Sequence, residues 1–378
     1  MRRSVFEPGP GKWDPNDVQK LNVRRVFTSI AANPGNTAAD ACRETGLSPA
    51  TMSRLLEQLV ERDLVIEGEP VRRERGQPGV ALRMNSAGAY SVGCALGYGS
   101  GFVILRSLGG QILSEHEFQL ESCELSHVVQ SVSQAYRHLM ANQPADVAGK
   151  LVGVGVACPA DFPRLFETGS RMTADGAGWN EERFRHALAD AINVPVSTYA
   201  TGSAGAWAEL AFTPKPRPAN FMYVFIDRFV QSGFLLDGHL WEGHDHGAGS
   251  VGRAHRPNCG DVTRLYDLVG EHALASHAAR SNRSTKDIEA EWLVAAAKAL
   301  APPIQVLCDS LDLPLVVLDG TLPADLIDRV IQEIAGILPS IMWGSVPLIR
   351  RGYAGRHAPA KGAALRPVYM EFFAGETR

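Results

Sequence analysis

A glycine turn between two predicted helices, at Gly46, constrains the first part of this chain most strongly. Before the turn, Thr37 and Asp40 have the spacing of a capping box, which predicts a short helix that ends at the glycine. After the turn, Ser48 can cap a second helix, and Pro49 suits its first turn because an amide hydrogen there would have no helical partner. Two helices joined in this way are typical of a helix-turn-helix unit.

The helix after the turn is predicted to have one apolar and one polar face. Its apolar stripe consists of Met52, Leu55, Leu56 and Leu59. The residues left facing outward near its N-terminus are Ser48, Pro49, Ala50, Thr51, Ser53 and Arg54. Small side chains permit close approach to a DNA groove, and an arginine can bond a base or a phosphate. We therefore predict that this helix reads the major groove and that these outward residues contact DNA.

A basic wing is predicted to follow. The run 64–66 indicates one strand, and the alternation of Val80, Leu82 and Met84 indicates an antiparallel partner. The loop between the two strands carries Arg72, Arg73, Arg75 and Gln77. Arginines at a flexible tip suit phosphates or the narrow minor groove, so we predict that these four residues also contact DNA. The apolar spacing of residues 23, 26, 27 and 30 predicts one more helix before the two that Gly46 joins. The alternative for the resulting three-helix unit is a protein-interaction module.

Composition sets limits but does not choose a function. With 378 residues the chain is long enough for two to three units, and its 45% hydrophobic and 21% charged residues are those of a globular protein. The net charge of −4 means that any attraction to nucleic acid must come from a local surface. The first residues lack the apolar stretch of a secretory signal, so we expect a cytoplasmic protein without disulfides.

From about Tyr90 the pattern changes to apolar runs that alternate with helical segments. Strands are predicted at 92–96, 102–105, 151–156, 223–226 and 315–318, and helices at 126–142, 180–192 and 324–337. This alternation predicts an α/β fold. We place the domain boundary so that residues 1–85 form the DNA-binding unit and residues 86–378 form the second unit.

Nearly the whole chain resembles the ROK family of regulators and sugar kinases. The resemblance rests on the order of several motifs, each weak alone, which are 46–54, 75–78, 153–159, 178–180, 193–196, 233–238, 247–252 and 361–365. It implies a winged helix-turn-helix followed by a two-lobed, actin-like and ribonuclease-H-like sugar-kinase fold. The second unit is then expected to mediate dimerisation and to sense an effector.

The resemblance breaks down where a kinase needs its chemistry. The family's first phosphate loop opens with an aspartate that the run 95–99 lacks, and its second, glycine-rich loop is replaced by the run 227–231. The catalytic Asn-Asp pair falls on Ala200 and Thr201, and threonine cannot act as a base at neutral pH. We therefore predict no enzymatic activity and no cofactor. A sugar kinase that carries a DNA-binding appendage is the alternative.

The expected effector site is also altered. The family's sugar-binding glutamate and histidine fall on Ser250 and Arg253, a pair better suited to an anionic ligand such as an acidic sugar. Together with Trp179, Thr201 and His255, these two residues form the predicted ligand site. The alternative is a degenerate cleft that binds nothing, in a regulator controlled by a protein partner.

No metal site is predicted. Of the family's zinc-binding cysteines only Cys259 remains, and a closed tetrahedral zinc site needs more ligands than that. A different set made of His244, His246, His255 and Cys259 is the alternative. The leading hypothesis is a dimeric repressor of carbohydrate-related genes that binds a double-stranded DNA operator and responds to a sugar or sugar derivative.

Overall fold

The computed structural model of the chain describes residues 15–71, 79–159, 162, 180–244, 247–257, 262–280 and 283–374. An N-terminal head precedes two α/β lobes, which is the predicted order. In the described ranges no helix is both long and apolar enough to cross a lipid bilayer.

The head contains three helices and a two-stranded sheet. Its elements are α1 (Pro15–Ala32), α2 (Ala38–Thr45), α3 (Pro49–Glu61), β1 (Val65–Val71) and β2 (Gly79–Met84). The two strands pair antiparallel, with a bulge between Glu67 and Pro70. The predicted helix pair and the paired strands are therefore confirmed, and of the predicted apolar stripe of α3 only Leu56 is half-buried rather than buried.

The first lobe is a five-stranded sheet with helices on one side. Its elements are β3 (Tyr90–Leu96), β4 (Ser100–Ser107), β5 (Ile112–Gln119), α4 (Leu125–Ala141), α5 (Ala145–Gly149), β6 (Leu151–Cys158), α6 (Glu181–Ile192) and β7 (Val196–Ala200). The strand order is β5-β4-β3-β6-β7, in which β3 to β5 form an antiparallel meander and β6 and β7 add in parallel. The core on the helical side packs α4 and α6 against the sheet.

The second lobe repeats this topology. Its elements are β8 (Phe221–Ile226), β9 (Val230–Leu236), β10 (His239–Trp241), β11 (His255–Pro257), β12 (Val262–Arg264), α8 (Glu271–Arg280), α9 (Thr285–Leu311), β13 (Leu315–Gly320), α10 (Ala324–Ile341) and β14 (Leu348–Arg351). The strand order is β10-β9-β8-β13-β14, again a meander with two parallel strands beside it. The two equivalent sheets confirm the predicted two-lobed fold.

Two helices connect the lobes and pack against each other. Helix α7 (Thr201–Phe212) leaves the first lobe after β7 and packs on β8 and β9 of the second. Helix α11 (Ala358–Phe372) leaves the second lobe after β14 and returns to pack on β3 and β6 of the first. The lobes are thus joined by a crossed helix pair, and the space between them is bounded by the N-terminal ends of both helices.

The apolar core of the head includes the end of the chain. Val26, Phe27 and Ile30 of α1 and the stripe of α3 pack in one cluster with Val368 and Phe372 of α11. The sequence motifs did not predict this contact, because the two parts lie at opposite ends of the chain. The domain boundary at residue 85 stays a prediction.

Candidate DNA-reading head and inter-lobe cleft

Local hydrogen bonds fix the turn between α2 and α3. Gly46 has a φ of 71°, in the left-handed region that favours glycine, and its N–H donates to the carbonyl of Cys42 at 2.8 Å. At the start of α2, the N–H of Thr37 donates to Asp40 Oδ2 at 2.9 Å, as in the predicted capping box. At the start of α3, the N–H of Thr51 donates to Ser48 Oγ at 3.2 Å. These bonds set the direction in which α3 leaves the turn.

The N-terminal end of α3 is an exposed polar face. Five of the six residues predicted there are exposed: Ser48, Pro49, Ala50, Ser53 and Arg54. Thr51 is half-buried, with its hydroxyl 2.9 Å from Ser48 Oγ. The opposite side of the helix is anchored by Met52, Leu55 and Leu59, each at most 1% exposed. The first two turns of α3 therefore present a narrow face with one cation at its edge.

The second half of α3 is acidic. Glu57 and Glu61 are both exposed on later turns of this helix. Carboxylates repel the phosphates of a duplex, so close DNA contact of this helix is expected only at its N-terminal end.

The strands that carry the wing are described, but its tip is not. β1 ends at Val71 and β2 begins at Gly79, with the two strands paired up to these residues. Arg72, Arg73, Arg75 and Gln77 lie outside the described residues, so their predicted role in DNA contact stays a prediction.

The space between the lobes is a cleft of about 240 Å³. It is lined by residues of both lobes and by the first residues of α7, α8 and α11, among them Tyr98, Ser100, Phe102, Glu117, Thr201, Asp227, Arg228, Glu271, Thr321, Arg356 and His357. The lining combines aromatic rings, hydroxyls, carboxylates and guanidinium groups. Such a mixture can both donate hydrogen bonds to a small polyhydroxylated molecule and accept them from it.

An aromatic contact joins two loops, one from each lobe, that the motif resemblance aligns with the phosphate loops of the family. Tyr98, in the loop after β3, meets Phe229, in the turn between β8 and β9, with ring centroids 4.8 Å apart. Phe229 also packs on Tyr266, and Tyr98 packs on Phe162. Bulky rings in these loops would hinder the close approach of phosphate oxygens to backbone N–H groups.

A buried carboxylate lies beside this contact. Asp227 is 8% exposed, its Oδ1 accepts the N–H of Phe229 at 2.9 Å, and its Oδ2 lies 3.4 Å from the amide nitrogen of Gln231. Burial raises the pKa of Asp227 to about 7, with a smaller contribution from the nearby Glu271. Near neutral pH this group therefore holds a proton in a substantial fraction of molecules.

Thr201 lies at the start of α7 and lines the cleft, and its role in ligand binding stays a prediction. It is 2% exposed, and its hydroxyl has no hydrogen-bond partner in the described structure. The residue before it, Ala200, provides no side-chain cap for the helix. The first turn of α7 thus places a buried hydroxyl without a hydrogen-bond partner at the wall of the cleft.

A buried glutamate holds α7 to the segment that leads into α11. Glu209 is fully buried, and its carboxylate accepts hydrogen bonds from Arg350 Nη1 at 2.7 Å and from the N–H groups of Tyr353 and Ala354 at 2.8 and 3.2 Å. The hydroxyl of Thr213 adds a fourth bond at 3.0 Å. Both oxygens of the Glu209 carboxylate therefore accept hydrogen bonds, and these bonds join α7 to the segment that leads into α11.

The predicted ligand residues do not all lie at one place. Ser250 lines a second cavity, of about 710 Å³, between β9 and α9, while Thr201 lines the inter-lobe cleft. The hydroxyl of Ser250 donates to the carbonyl of Gly247 at 3.0 Å. The second cavity is lined mainly by apolar side chains, including Phe234, Leu265 and Pro302. Ser250 and Thr201 thus do not share a described cavity.

The structure describes only part of the remaining three residues predicted to bind ligand. Arg253 ends a short 3-10 helix and is exposed. His255 begins β11, of which the structure describes the backbone. Trp179 lies outside the described residues. The roles of these residues stay predictions.

The residues aligned with the family's zinc ligands do not fit a structural zinc ion. At the position of the family's histidine ligand stands Arg253, whose guanidinium remains charged and cannot ligate a cation. Cys259 and His246 lie outside the described residues. Within the described part of the chain, no group of three His, Cys, Asp or Glu side chains could hold a metal ion.

The fold and these sites define a class of protein: a winged helix-turn-helix joined to a two-lobed α/β unit of the sugar-kinase type. A sequence model of the MarR family matches residues 20–76, and one of the ROK family matches residues 92–365. The chain belongs to the ROK family. The resemblance inferred from the motifs is thereby confirmed.

Similar proteins include both regulators and kinases. The xylose repressor of Bacillus spizizenii is 26% identical over 242 residues, which are 63% of this chain and 61% of that repressor. A solved ROK family transcriptional regulator, a homolog of the E. coli Mlc protein, is 17% identical with a TM-score of 0.68 and covers 93% of this chain and 99% of its own. A ROK family glucokinase from Streptomyces griseus is 15% identical with a TM-score of 0.58, over 74% of this chain and 99% of its own. The two structures establish the fold.

Proposed function

We propose that this protein is a DNA-binding transcriptional repressor of sugar-related genes, acting in the cytoplasm as a homodimer. The observation that carries the proposal is the exposed N-terminal face of α3, held by the Gly46 turn on one side and by a buried apolar stripe on the other. The name of the xylose repressor relative supports the same function. In a symmetric dimer the two α3 helices would read half-sites about one helical turn apart.

The cleft is the proposed effector site, and it favours a neutral sugar. The lining includes the guanidinium groups of Arg228 and Arg356 and the carboxylates of Glu117 and Glu271. The volume of about 240 Å³ suits a monosaccharide better than a larger ligand. The opposed charges give the cleft no net preference for an anion. Because Ser250 does not line this cleft, the anionic ligand inferred from Ser250 and Arg253 loses one of its two residues.

We further propose that the protein does not phosphorylate sugars. Thr201, which lines the cleft, stands where the family's catalytic aspartate is expected. Tyr98 and Phe229 stand in the two loops where the family's phosphate loops are expected, with their rings in contact. A general base and an open phosphate loop are both needed for phosphoryl transfer to a hydroxyl.

The testing experiment is selection of genomic fragments by the purified full chain at near-physiological salt. A recurring palindrome among the retained fragments is the expected result. Fragments without a shared sequence would contradict the repressor proposal. Melting temperature is then measured with D-xylose, D-glucose and D-glucuronate, and we expect a shift with a neutral sugar but not with the acid.

A coupled ATPase assay with the same sugars addresses the kinase alternative. We expect no sugar-dependent turnover, and turnover that follows the sugar concentration would overturn the proposal of an inactive cleft. A protein that binds a palindrome but shifts with no sugar would favour the regulator controlled by a protein partner.

A further inference from the structure

Helix α11 begins in the wall of the inter-lobe cleft. Arg356, His357 and Pro359 all line the cleft, and the ring of His357 stacks on Phe102 of β4 with centroids 3.6 Å apart and planes 8° apart. Burial, and then the charges of Arg356 and Lys361, lower the pKa of His357 to about 4. The imidazole is therefore neutral at physiological pH and packs as an aromatic ring. The first turn of α11 is thus attached to the first lobe at the cleft.

The middle of α11 packs directly against backbone on two sides, the sheet of the first lobe and helix α7. A Cβ atom on Gly93 of β3 would lie 2.0 Å from the carbonyl oxygen of Ala360, and one on Gly155 of β6 would lie 2.0 Å from that of Ala363. On the other side, a Cβ on Gly362 would lie 1.7 Å from the carbonyl oxygen of Ala204 in α7. Direct backbone contact with the sheet and with α7 blocks sideways displacement of the helix. A shift of one lobe against the other must therefore move α11 as a unit.

The end of α11 is part of the core of the head. The rings of Phe372 and Phe373 pack on Phe27 of α1 with centroids 5.8 and 5.2 Å apart. Phe27 in turn belongs to the cluster that contains Met52 and Leu55 of α3. Because packed cores do not deform continuously, a displaced Phe372 displaces the stripe on which the reading helix rests.

Polar contacts attach both ends of the helix-turn-helix to the same segment. From α1, Arg24 Nε donates to the carbonyl of Glu371 at 3.0 Å, and Thr28 Oγ1 accepts the N–H of Ala374 at 2.9 Å. After α3, the guanidinium of Arg62 lies 5.7 Å from the centroid of the Phe372 ring and 3.6 Å from the carboxylate of Glu371. The last residues of α11 therefore contact the segments before and after the reading face.

We propose that α11 transmits the state of the inter-lobe cleft to the DNA-reading head, and so couples effector binding to operator affinity. The helix has 15 residues, so about 22 Å separate the cleft end from the head end. Because sideways displacement is blocked, a ligand that changes the contact between Phe102 and His357 shifts α11 along its axis. That shift reorients α3 through Phe372 and Phe27. The regulatory role of this coupling rests on the proposed function, but the coupling itself does not require DNA.

The experiment perturbs the cleft end and measures the head end, with no ligand required. Full-length His357→Ala and Phe102→Ala variants remove the same ring contact from opposite sides. The control, His116→Ala, removes a different ring pair, between His116 and His138 with centroids 4.2 Å apart, which lies on β5 and α4 away from α11. Hydrogen exchange of the backbone amides is measured in peptides from α1 and α3, and operator affinity is measured with the selected palindrome.

We expect both cleft variants to change exchange rates in α1 and α3 at least threefold, while the control leaves them unchanged. The same two variants should change operator affinity at least threefold. Unchanged amide exchange rates in the head of both cleft variants would overturn the coupling. A change in His357→Ala alone would also overturn it, because that result indicates local fraying of α11. If the head amides respond but the wild type retains no shared DNA sequence, the coupling stands and the proposed function fails. If the wild type binds a palindrome and the head amides do not respond, the proposed function stands and the coupling fails.

Discussion

The rings of Tyr98 and Phe229 meet edge to face across the inter-lobe cleft, with centroids 4.8 Å apart and planes at 86°. Tyr98 belongs to the first lobe and Phe229 to the second, so this pair joins the two lobes beside the cleft. An edge-to-face pair also adds attraction beyond the apolar area that it buries. The contact between these two rings therefore helps to hold the lobes together.

A double-mutant cycle on this pair should show positive coupling. We expect Tyr98→Ala and Phe229→Ala together to be less destabilising than the sum of the single variants, by about 0.5–1.5 kcal/mol. The free energy of unfolding in urea is the measurement. Additive effects would show that the two rings do not interact in solution.

Arg54→Ala should weaken operator binding with little effect on stability. Arg54 is exposed on the reading face of α3, so its loss removes a contact to a base or a phosphate worth about 1–3 kcal/mol and lowers operator affinity about 10- to 100-fold. Fluorescence anisotropy with the selected palindrome checks this. Arg137→Ala, which removes an exposed arginine of the first lobe, is the matched control and should bind as the wild type does. Equal affinity of the Arg54→Ala variant would remove Arg54 from the DNA contacts.

Asp227→Asn should flatten the dependence of stability on pH between about 4 and 7. Burial raises the pKa of Asp227 from 3.8 to about 7, so in this window the folded state holds a proton that the unfolded state has released. Stability of the wild type therefore falls as the pH rises from 4 to 7 on account of this group. Asparagine keeps an oxygen for the N–H of Phe229 and cannot ionise. Melting temperatures across this range should fall less steeply in the variant, and parallel curves would contradict the raised pKa.

Glu209→Gln should destabilise the protein strongly. The carboxylate of Glu209 is fully buried, and the variant removes it from its pair with the guanidinium of Arg350. Loss of one partner of a buried pair lowers the free energy of unfolding by about 3–5 kcal/mol. The control is Glu291→Gln, which breaks the exposed pair of Arg283 and Glu291 at 2.8 Å and should change stability by less than about 1 kcal/mol. Urea unfolding compares the two variants. Similar losses in both would show that the Glu209 network does not carry the predicted stability.

Gly46→Ala and Gly336→Ala should have opposite signs. Gly46 has a left-handed φ of 71°, where alanine is less stable by about 1 kcal/mol. Gly336 lies inside α10, and a Cβ added there would meet nothing within 4 Å, so alanine should stabilise by up to about 1 kcal/mol. Melting temperatures of the two variants check this, and a stabilised Gly46→Ala variant would contradict the left-handed turn.

The sequence by itself determined the elements whose signals are contiguous. The Gly46 turn, the Ser48 cap and the apolar stripe of α3 are encoded within a few residues, because capping, turn geometry and helical periodicity act locally. The strands of the two lobes were visible for the same reason, as buried apolar runs. The order of family motifs also predicts that Thr201 stands at the family's catalytic position, and this assignment stays a prediction.

Only the tertiary structure decided which of these parts meet. It placed Thr201 and Ser250 in different cavities, and it brought Phe372 onto Phe27, at the opposite end of the chain. It also brought His357 onto Phe102 across the cleft. Contacts between distant residues depend on how whole elements pack, and no local pattern specifies that packing. The contacts of α11 with both the cleft and the head therefore depend on the tertiary structure alone.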